Sequence, residues 1–493
     1  MEKPPAAKMK SPGGGGGGVC LASLVSLFLL LSFYSHFLGT STVHPFLAAP
    51  NSVNPSLNRL AGLNSSRNDL PTTEEDSCRG RYIYVHDLPP KFHADLLIHC
   101  RVLTRGTDGN MCPYLENAGL GPMVDDPEGV LSNGSWYKTN QFLLEVIFHE
   151  KMKRYKCLTE DSSFASAVYI PYYAGLDISQ YLYSNNISVR DAAAFDLMRW
   201  LTGRPEWGRL SGRDHFFVAG RIAWDFRRQL DDPSDWGTKL MFLPEAQNMT
   251  LLSVESSVWN NDFAIPYPTF YHPSKDVEVS EWQERMRKQM RRHLFTFVGA
   301  PRPEPQLTIR GEIIRQCVLS RGNCNWVNCS SDSNNCDNPA NVMKAFQRSV
   351  FCLQPGGDSY TRRSTFDSIL SGCIPVFFHS GAAYVQYLWH LPKNYPSYSV
   401  FIPMDNTTKA NIESVLIQIP EHDVLAMREE VIRLIPGIVY ADPRSSERTF
   451  EDAFDVTVKR VLERVGKTRE VIAAGGDPSI GFAEQNHHKF DLP

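Results

Sequence analysis

The hydrophobic positions of this 493-residue chain form one long run near the N-terminus and many short runs after residue 80. The short runs stand in RYIYVHDLPP (a predicted strand at Tyr82–Val85), FASAVYIPYYAG, RDHFFVAGRIAWDF, HLFTFVGA, SVFCLQP and CIPVFF. Each is nearly continuous rather than alternating, and each ends in turn residues. This pattern is typical of strands that are buried on both faces of a parallel sheet.

Segments with helical spacing separate these strands. In TNQFLLEVIFHEKMKRY the apolar residues recur with a helical period, and Thr139 is available as the N-cap. In RRSTFDSILSG, Phe366, Ile369 and Leu370 share one face, and Gly372 follows at the C′ position. Strands that alternate with helices predict an α/β fold with mostly parallel sheets.

Two domains are predicted because the alternation of strands and helices restarts in the middle of the chain. The stretch DFAIPYPTFYHP contains three prolines and is interpreted as a connector. We therefore predict a first domain over residues 76–268 and a second over 269–468. A chain of this length is too long to fold around a single hydrophobic core. A tail follows at 469–493, and its role is not predicted.

The long apolar run at residues 19–38 contains no Lys, Arg, Asp or Glu, and about 20 apolar residues suffice to span a bilayer as a helix. Three lysines precede it, and no basic residue follows until Arg59. The positive-inside rule then predicts a cytoplasmic tail at 1–18, a transmembrane signal anchor at 19–38, and a lumenal remainder that begins with a stem at 39–75. A cleaved signal peptide is the alternative.

Cysteines and glycosylation sequons agree with a lumenal body. Cys20 lies in the apolar run, and the other ten cysteines predict disulfides in an oxidising compartment. Four of them, Cys317, Cys324, Cys329 and Cys336, cluster and allow three pairings. Zinc is the alternative for this cluster, disfavoured because no CxxC pair is present. Sequons occur at Asn64, Asn133, Asn186, Asn248, Asn328 and Asn406.

Charge and common motifs exclude several classes of protein. The net charge of −4 gives no electrostatic reason to expect a nucleic acid partner. Outside the low-complexity glycine run at residues 13–18, no GxGxxG sequence is present, and no Walker sequence is found, which disfavours a Rossmann dehydrogenase and a P-loop NTPase. No HExxH, GxSxG or DxD sequence is present either, so neither a common hydrolase signature nor a metal-binding DxD is found.

The strongest candidate chemistry lies in FCLQPGGDSYTRRSTFDSILSGCIPVFF. Gly356 and Gly357 allow the backbone to approach a diphosphate closely, at the N-terminus of the helix that follows. Arg362 or Arg363 would add charge-assisted hydrogen bonds, and Asp367 would accept hydrogen bonds from ribose hydroxyls. The alternative is an ordinary turn with solvated surface arginines.

A second candidate for anion binding is VGAPRPEPQLTIRGEI. Gly299 ends a predicted strand, and Arg302 and Arg310 lie on the following loop and helix. In a parallel sheet, Arg310 would reach the same phosphate from the neighbouring strand. A solvated arginine at a helix start is the alternative.

Acidic residues at predicted strand ends are candidates for a general base. Asp225 follows the strand in GRDHFFVAGRIAWDFRR, a position suited to proton abstraction. Glu255 in VESSVW and Asp87 in VHDLPP are rivals. For each of the three, the alternative is a salt bridge or a helix cap.

Taken together, these segments resemble the exostosin-like glycosyltransferases of family 47. Residues 351–378 are similar to that family's sugar-nucleotide signature, in which a glycine loop, an arginine and an acid precede a GC-[IV]-P-V strand. YIYVHDLPPKF resembles its opening strand. WYKTNQFLLEVIFHEKMKRYKC, VYIPYYAGLDISQYL, GRDHFFVAGRIAWDFRR and DFAIPYPTFYHP are similar to the plant branch that contains xyloglucan galactosyltransferases. The resemblance runs from about Cys78 to about residue 465.

The resemblance implies a GT-B fold, in which two Rossmann-like domains face each other across a cleft. The acceptor would lie mainly on the first domain and the nucleotide sugar on the second. A base would deprotonate an acceptor hydroxyl, which attacks with inversion at the anomeric carbon. Arginines and helix N–H groups would stabilise the leaving diphosphate, so that no metal and no cofactor beyond the nucleotide sugar are expected.

Carried over by position, the resemblance assigns diphosphate contacts to Arg310 and to the Arg362–Arg363 pair, and a ribose contact to Asp367. The donor loop would be lined by Gly356, Gly357, Asp358 and Ser359. Many relatives have one arginine three residues before a glutamate, whereas this chain has Ser364 at that place and Asp367 instead of the glutamate. Which of the two arginines contacts phosphate is therefore left open.

The function that the resemblance implies is transfer of galactose from UDP-galactose to xylosyl side chains of xyloglucan, for cell-wall hemicellulose. The expected location is the Golgi membrane, as a single-pass type II protein with a lumenal catalytic body and other Golgi glycosyltransferases as possible partners. Alternatives are transfer of galacturonic acid or arabinose, and a non-catalytic GT-B partner of another transferase. A membrane-anchored glycan-binding protein or hydrolase is a further alternative, which would leave the phosphate loop unexplained.

Overall fold

The computed structural model describes residues 76–103, 110–126, 128–132, 134–303, 308–330, 336, 338–404 and 410–491. The described residues from Ser77 onward belong to one compact unit. No helix within them is long and apolar enough to cross a membrane. The cytoplasmic tail, membrane anchor and stem predicted at residues 1–75 lie outside the described ranges.

The first sheet contains five described strands, all parallel, in the same order in space as in sequence. They are β1 (Ile83–Val85), β2 (Ala167–Tyr169), β3 (His215–Ala219), β4 (Thr250–Ser253) and β5 (Asp262–Ala264). Every residue of β2, β3 and β4 is buried, as expected for central strands of a parallel sheet that is covered on both faces.

The second sheet also contains five described parallel strands, but their order in space is β10-β9-β8-β6-β7. They are β6 (His293–Val298), β7 (Cys324–Val327), β8 (Ser349–Gln354), β9 (Ile374–Phe377) and β10 (Val400–Phe401). This is the doubly wound order 2-1-3-4-5. The direction of winding reverses between β6 and β8, which leaves a crevice at their carboxyl ends.

The right-handed α-helices of the described residues fall before, between and after these strands. Those around the first sheet are α1 (Ala94–Ile98), α2 (Leu144–Met152), α3 (Ala174–Ser179), α4 (Ile187–Thr202) and α5 (Pro205–Leu210). Those that follow are α6 (Asp276–Lys288), α7 (Ile309–Leu319), α8 (Pro339–Gln347), α9 (Arg363–Leu370), α10 (Ile412–Ile417), α11 (Glu421–Arg433), α12 (Ile435–Ile438) and α13 (Ala453–Ala473). The predicted α/β alternation is confirmed.

The two predicted helix caps have different outcomes. Gly372 has a φ of +61° directly after the C-cap of α9, which confirms the predicted C′ glycine. The prediction for Thr139 is wrong, because the side chain of Asn140 accepts the hydrogen bond from the Phe142 amide, at 2.9 Å, at the start of the turn that leads into α2. The Thr139 hydroxyl instead donates to the Leu120 carbonyl at 2.8 Å.

One hydrophobic core joins the elements on the two sides of residue 268, where we predicted a boundary. The largest buried apolar cluster includes Trp136 from the first side and Trp282 from the second. Helix α13 follows the second sheet in sequence but packs against β2 and α2, and the ring of Phe454 lies 4.7 Å from that of Phe148. The last helix of the predicted second domain thus holds the two sheets together.

All ten cysteines predicted to form disulfides are paired. The pairs are Cys78–Cys157, Cys100–Cys112, Cys317–Cys324, Cys329–Cys336 and Cys352–Cys373. Within the four-cysteine cluster, where the sequence allowed three pairings, each cysteine is therefore bonded to its neighbour in sequence. The Cys352–Cys373 bond joins β8 to the residue before β9, so it encloses the loop and helix that carry the candidate donor residues.

Candidate active site

A loop at the carboxyl edge of the second sheet forms the core of the candidate site. This glycine loop (residues 355–362) joins β8 to α9, and it lies at the crevice where the winding direction reverses. The amide of Gly357 donates to the carbonyl of Ser359 at 3.0 Å, which closes a tight turn inside the loop. The fold thus brings the predicted phosphate loop to the place in a doubly wound sheet where ligands bind.

Two arginines from different strand–helix connections converge on Gly357. Arg362 is the last residue of the glycine loop, and Arg310 lies in the first turn of α7, after β6. A Cβ atom added at Gly357 would overlap both guanidinium groups. Arg310 also donates from Nε to the carbonyl of Gly356 at 3.1 Å. With glycine at position 357 both cations lie against the backbone, and a Cβ there would displace them.

The cluster of positive charge around Gly357 is only partly compensated. Burial, together with the charges of Arg362 and Arg302, lowers the pKa of Arg310 to about 10. Burial also lowers the pKa of Arg362, and its Nε has no hydrogen-bond partner among the described residues. Both guanidinium groups remain charged at neutral pH. A bound anion would compensate their charge and satisfy the free donor.

The other predicted donor residues lie at the rim or support the loop. Arg302 forms an ion pair with Asp358, whose side chain is mostly exposed. Ser359 is buried, and its carbonyl also accepts a hydrogen bond from Arg362 at 3.1 Å. The carbonyl of Gly299 accepts from the Trp326 indole at 3.2 Å. The structure therefore brings Arg302, Asp358 and Ser359 next to the arginine cluster, whereas Gly299 supports the strand end.

Arg363 and Asp367 form a buried pair apart from Gly357. Arg363 Nε lies 3.3 Å from Asp367, its Nη1 donates to the carbonyl of Thr139, and its guanidinium lies 3.5 Å from the ring centroid of Phe270. Burial raises the pKa of Asp367 to about 6, although the charge of Arg363 opposes this. In this structure the second pair holds α9 against the first half of the chain, and the assignment of Arg363 and Asp367 to the donor stays a prediction.

Glu255 follows β4 at the carboxyl edge of the first sheet and reaches the glycine loop. Its Oε2 accepts hydrogen bonds from the amide and the hydroxyl of Thr361, both at 2.8 Å. Its Oε1 is buried with no hydrogen-bond partner among the described residues. Burial raises the pKa of Glu255, while the bonds from Thr361, an interaction with the Ser359 hydroxyl and the charge of Arg362 oppose the shift. Glu255 is thus a carboxylate with one free oxygen, close to the arginine cluster.

Asp225 follows β3 at the same edge, but both of its oxygens are occupied. Oδ2 accepts from Arg221 Nε at 2.7 Å, and Oδ1 accepts from the indole of Trp236 at 2.9 Å. The carboxyl is also buried. Asp87, the other rival, is exposed after β1. Of the three acids that the sequence singled out, Glu255 alone contacts the glycine loop.

Two tyrosines show that the acidic edge of the first sheet faces the glycine loop. The hydroxyl of Tyr267 lies 3.1 Å from the Thr361 hydroxyl, and the charges of Glu255 and Asp225 both raise its pKa, after burial. Tyr183 is 67% exposed, and the partial burial of its hydroxyl raises its pKa, to which the charges of Asp225 and Asp358 add. Sequence reasoning missed these residues, because only their position between the two sheets distinguishes them from other tyrosines.

Three of the six predicted sequons lie within the described residues. Asn186 is exposed and caps α4 through its Oδ1, which accepts from the amide of Val189 at 3.3 Å. Asn248 is half-buried just before β4, and its side-chain amide donates to the carbonyl of Ser211 at 2.9 Å. Asn328 is half-buried after β7. Asn64, Asn133 and Asn406 lie outside the described ranges, and glycosylation stays a prediction at all six.

No group of three His, Cys, Asp or Glu side chains within the described ranges is arranged to hold a metal ion. The charge that faces the crevice comes instead from Arg302, Arg310 and Arg362. A crevice with convergent arginines, a glycine loop and a buried carboxylate opposite is suited to group transfer from a diphosphate-linked donor.

Comparison with known proteins gives the family. The Exostosin GT47 domain model matches residues 77–417. The chain belongs to this family, and it is a glycosyltransferase.

Curated relatives give a narrower comparison. The chain is 55% identical over 422 residues to "Xyloglucan galactosyltransferase MUR3" of Arabidopsis thaliana, covering 85% of this chain and 68% of that protein. It is also 55% identical over 442 residues to "Probable xyloglucan galactosyltransferase GT14" of the same plant, covering 89% of this chain and 85% of that protein. The family and the plant branch predicted from sequence motifs are confirmed.

Solved structures resemble the chain only weakly. "Crystal structure of GtfA/B complex" matches 56% of this chain and 61% of that chain, with a TM-score of 0.29 and 8% identity. "Crystal structure of the pneumococcal O-GlcNAc transferase GtfA in complex with UDP and GlcNAc" matches 58% of this chain and 60% of that chain, with a TM-score of 0.26 and 12% identity. Scores this low establish neither a shared fold nor a shared ligand.

Proposed function

We propose that this protein is an inverting GT-B glycosyltransferase that moves galactose from UDP-galactose to xylosyl side chains of xyloglucan. The observation that carries the proposal is the convergence of Arg310 and Arg362 on Gly357, at the crevice of the second sheet. Membership of the exostosin family and extensive identity to relatives named as xyloglucan galactosyltransferases support the donor sugar and the acceptor.

The diphosphate of the donor binds against the glycine loop in this proposal. Arg310 and Arg362 donate charge-assisted hydrogen bonds to the phosphate oxygens, and the free Nε of Arg362 is one such donor. When the bond between the galactose anomeric carbon and the UDP oxygen breaks, negative charge builds up on UDP. The two guanidinium groups are already in place to stabilise that charge, so no divalent metal is needed.

The acceptor approaches from the side of the first sheet. Glu255 takes the proton of an acceptor xylosyl hydroxyl, whose oxygen then forms a bond to the anomeric carbon on the face opposite to UDP. The free Oε1 and the raised pKa of Glu255 support this role over Asp225, whose oxygens are both occupied. The products are galactosylated xyloglucan, UDP and the proton held by Glu255.

We place the protein in the Golgi membrane with its catalytic body in the lumen. The apolar run at residues 19–38, with lysines only on its N-terminal side, supports a single-pass type II orientation. The five disulfides of the body support an oxidising compartment. Other Golgi glycosyltransferases are candidate partners at that membrane.

The test is a transfer assay with the secreted body, which starts at about residue 76 because the described residues from Ser77 form one compact unit. The body is incubated with a panel of UDP-sugars and a xyloglucan oligosaccharide in the presence of EDTA, and the products are weighed by mass spectrometry. A hexose gained only from UDP-galactose supports the donor, the acceptor and metal independence together. Transfer that is lost in EDTA and restored by a divalent cation would overturn metal independence alone.

Two glycine variants control this assay. Gly357→Ala places a Cβ where the two guanidinium groups lie, so we expect transfer to fall by about 100-fold. Gly356→Ala meets only the Ser359 carbonyl, at 3.6 Å, so we expect a loss of less than about tenfold. Equal losses in the two variants would contradict the proposed phosphate site. Unchanged binding of UDP in Gly357→Ala would contradict it as well.

A further inference from the structure

The last described residues of the chain return to the candidate active site. The C-terminal segment (residues 477–491) follows α13 and lies beyond the part of the chain that matches the family. It pairs in antiparallel fashion with the connection between β4 and β5, through a bridge between Trp259 and Gln485. The amide of Asn486 donates to the carbonyl of Val258 at 2.8 Å, three residues after Glu255.

Lys489 attaches the C-terminal segment to the start of β5 in the first sheet. Its ammonium donates to the carbonyl of Trp259 at 3.1 Å and lies 3.4 Å from a carboxylate oxygen of Asp262. Asp262 also accepts from Arg227 Nε at 2.9 Å and from the amide of Ser257 at 2.8 Å. The segment therefore joins a buried network that fixes the loop carrying Glu255.

Phe490 connects this same segment to the glycine loop. Its ring is 6% exposed and packs in a small apolar cluster with Trp224, Val258 and Val385, with Tyr360 at its edge. The centroid of the Phe490 ring lies 5.4 Å from that of Tyr360, which in turn stacks on His379 at 4.5 Å. Tyr360 belongs to the glycine loop, two residues before Arg362.

The C-terminal segment is also attached to the second sheet, through the backbone of Phe490. The Ser380 hydroxyl, at the end of the second sheet, donates to the carbonyl of Phe490. Phe490 is therefore held from the second sheet, while its neighbour Lys489 is held from the first. One residue pair at the end of the chain fixes both sides of the crevice.

We propose that the C-terminal segment is a positioning element for the donor, in which Phe490 packs on Tyr360 and keeps the glycine loop in its binding conformation. The inference rests on the proposed function, because it assigns the glycine loop to the nucleotide sugar. Without Phe490 the free loop samples more conformations. Binding of the donor then has to order the loop, which costs conformational entropy. The donor then binds more weakly, while a step that follows binding changes less.

The test compares Phe490→Ala with Phe482→Ala in the secreted body. Phe482 is a buried aromatic residue of the same segment, but it packs on Arg464 and not on Tyr360. Transfer kinetics give kcat and the KM for UDP-galactose, and thermal unfolding gives Tm. Hydrogen exchange of the amides in residues 356–362, without nucleotide, reports the loop directly and does not depend on activity.

We expect Phe490→Ala to raise the KM for UDP-galactose by about tenfold, with a smaller change in kcat and faster exchange in residues 356–362. Phe482→Ala should lower Tm by a similar amount and leave the KM and the loop exchange as in the wild type. Phe490→Leu, which keeps an apolar side chain in the cluster, should restore most of the affinity. If Phe490→Ala does not fold, the KM and the loop exchange of Phe490→Leu are compared with those of the wild type instead.

A double variant separates positioning from general stability. If Phe490 acts through Tyr360, the KM of Tyr360→Leu combined with Phe490→Ala should be close to that of the worse single variant. Equal KM values for Phe490→Ala and Phe482→Ala, with unchanged loop exchange, would overturn the inference. If the wild type neither transfers galactose nor binds UDP, the proposed function fails instead, and exchange in the loop still decides whether Phe490 restrains it.

Discussion

The two sheets of this protein have the same number of described parallel strands, but they offer different sites at their carboxyl edges. In the first sheet the strands follow their sequence order, so the winding never reverses and no crevice forms between neighbouring strands. In the second sheet the reversal between β6 and β8 opens a crevice with two helix starts beside it. Strand order alone therefore places an anion site in the second half of the molecule.

The charges at the two edges differ in the same way. At the second sheet, Arg302, Arg310 and Arg362 lie together, and the charge of Asp358 compensates them only in part. At the carboxyl edge of the first sheet, Asp225 is neutralised by Arg221, whereas Glu255 has one carboxylate oxygen with no hydrogen-bond partner among the described residues. One edge is thus ready to bind an anion, and the other presents one carboxylate able to accept a proton.

The largest effect should come from the acid at the first sheet. We expect Glu255→Gln to lower kcat by roughly 1000-fold, the scale for loss of a general base, and Asp225→Asn by only about tenfold. Because a base must be ionised, activity should fall as pH drops through the raised pKa of Glu255, and this acidic limb should disappear in Glu255→Gln. The pH profile of kcat/KM is the measurement. An acidic limb that persists in Glu255→Gln and disappears in Asp225→Asn would move the base to Asp225.

The next effect separates the two adjacent arginines of the second sheet. Arg362→Ala should raise the KM for UDP-galactose by about 100-fold with little change in stability, because it removes a phosphate contact. Arg363→Ala should lower the free energy of unfolding by about 3–5 kcal/mol, because it leaves Asp367 buried without its partner. Urea unfolding gives the free energy of unfolding of both variants, and transfer kinetics give their KM for UDP-galactose. A large KM change in Arg363→Ala at normal stability would contradict it.

A moderate effect is expected from the disulfide around the glycine loop. Replacing Cys352 and Cys373 by serine should cost about 3 kcal/mol of stability, and replacing Cys100 and Cys112 should cost a similar amount. The first pair encloses the glycine loop and α9, whereas the second lies near the first sheet. UDP affinity, measured by calorimetry, should therefore fall only for the Cys352–Cys373 variant. Equal affinities would show that the loop does not depend on that bond.

The smallest effect should come from the amino edge of the first sheet. Asn248 lies just before β4, at the opposite end of the strand from Glu255. Asn248→Gln should remove one glycan and cost about 1 kcal/mol through the lost hydrogen bond to Ser211, with kcat and KM unchanged. Gel mobility and transfer kinetics check both points. A change in donor KM would mean that the two edges of this sheet are not independent.

Local features of the sequence predicted most of the fold. The buried strands are predictable because a continuous apolar run is a local signal that does not depend on the neighbouring strand. The strands β8 and β9 and the helix α9 lie at the positions that the motif predicts. The Gly372 cap was also local. The prediction of Thr139 as the N-cap is wrong because Asn140, one residue later, offers a side-chain oxygen to the same turn. The spacing of apolar residues does not distinguish between these two positions.

The candidate site was only partly predictable. Gly357, Arg310 and Arg362 were identified from residue types at a strand–helix junction, and the structure brings them together. The contacts of Arg363 could not be predicted, because its partners Thr139 and Phe270 come from distant parts of the chain. The contribution of the C-terminal segment was not predicted for the same reason.

The sequence by itself determined the class of fold, the set of cysteines that pair, the glycine loop and the family. These properties depend on residue types within short segments, where hydrophobic period, turn chemistry and motif spacing act locally. Only the tertiary structure decided which arginine faces the crevice, which acid keeps a free oxygen, and what holds the glycine loop. These depend on contacts between residues more than 100 positions apart, such as Glu255 with Thr361, whose partners no local pattern specifies.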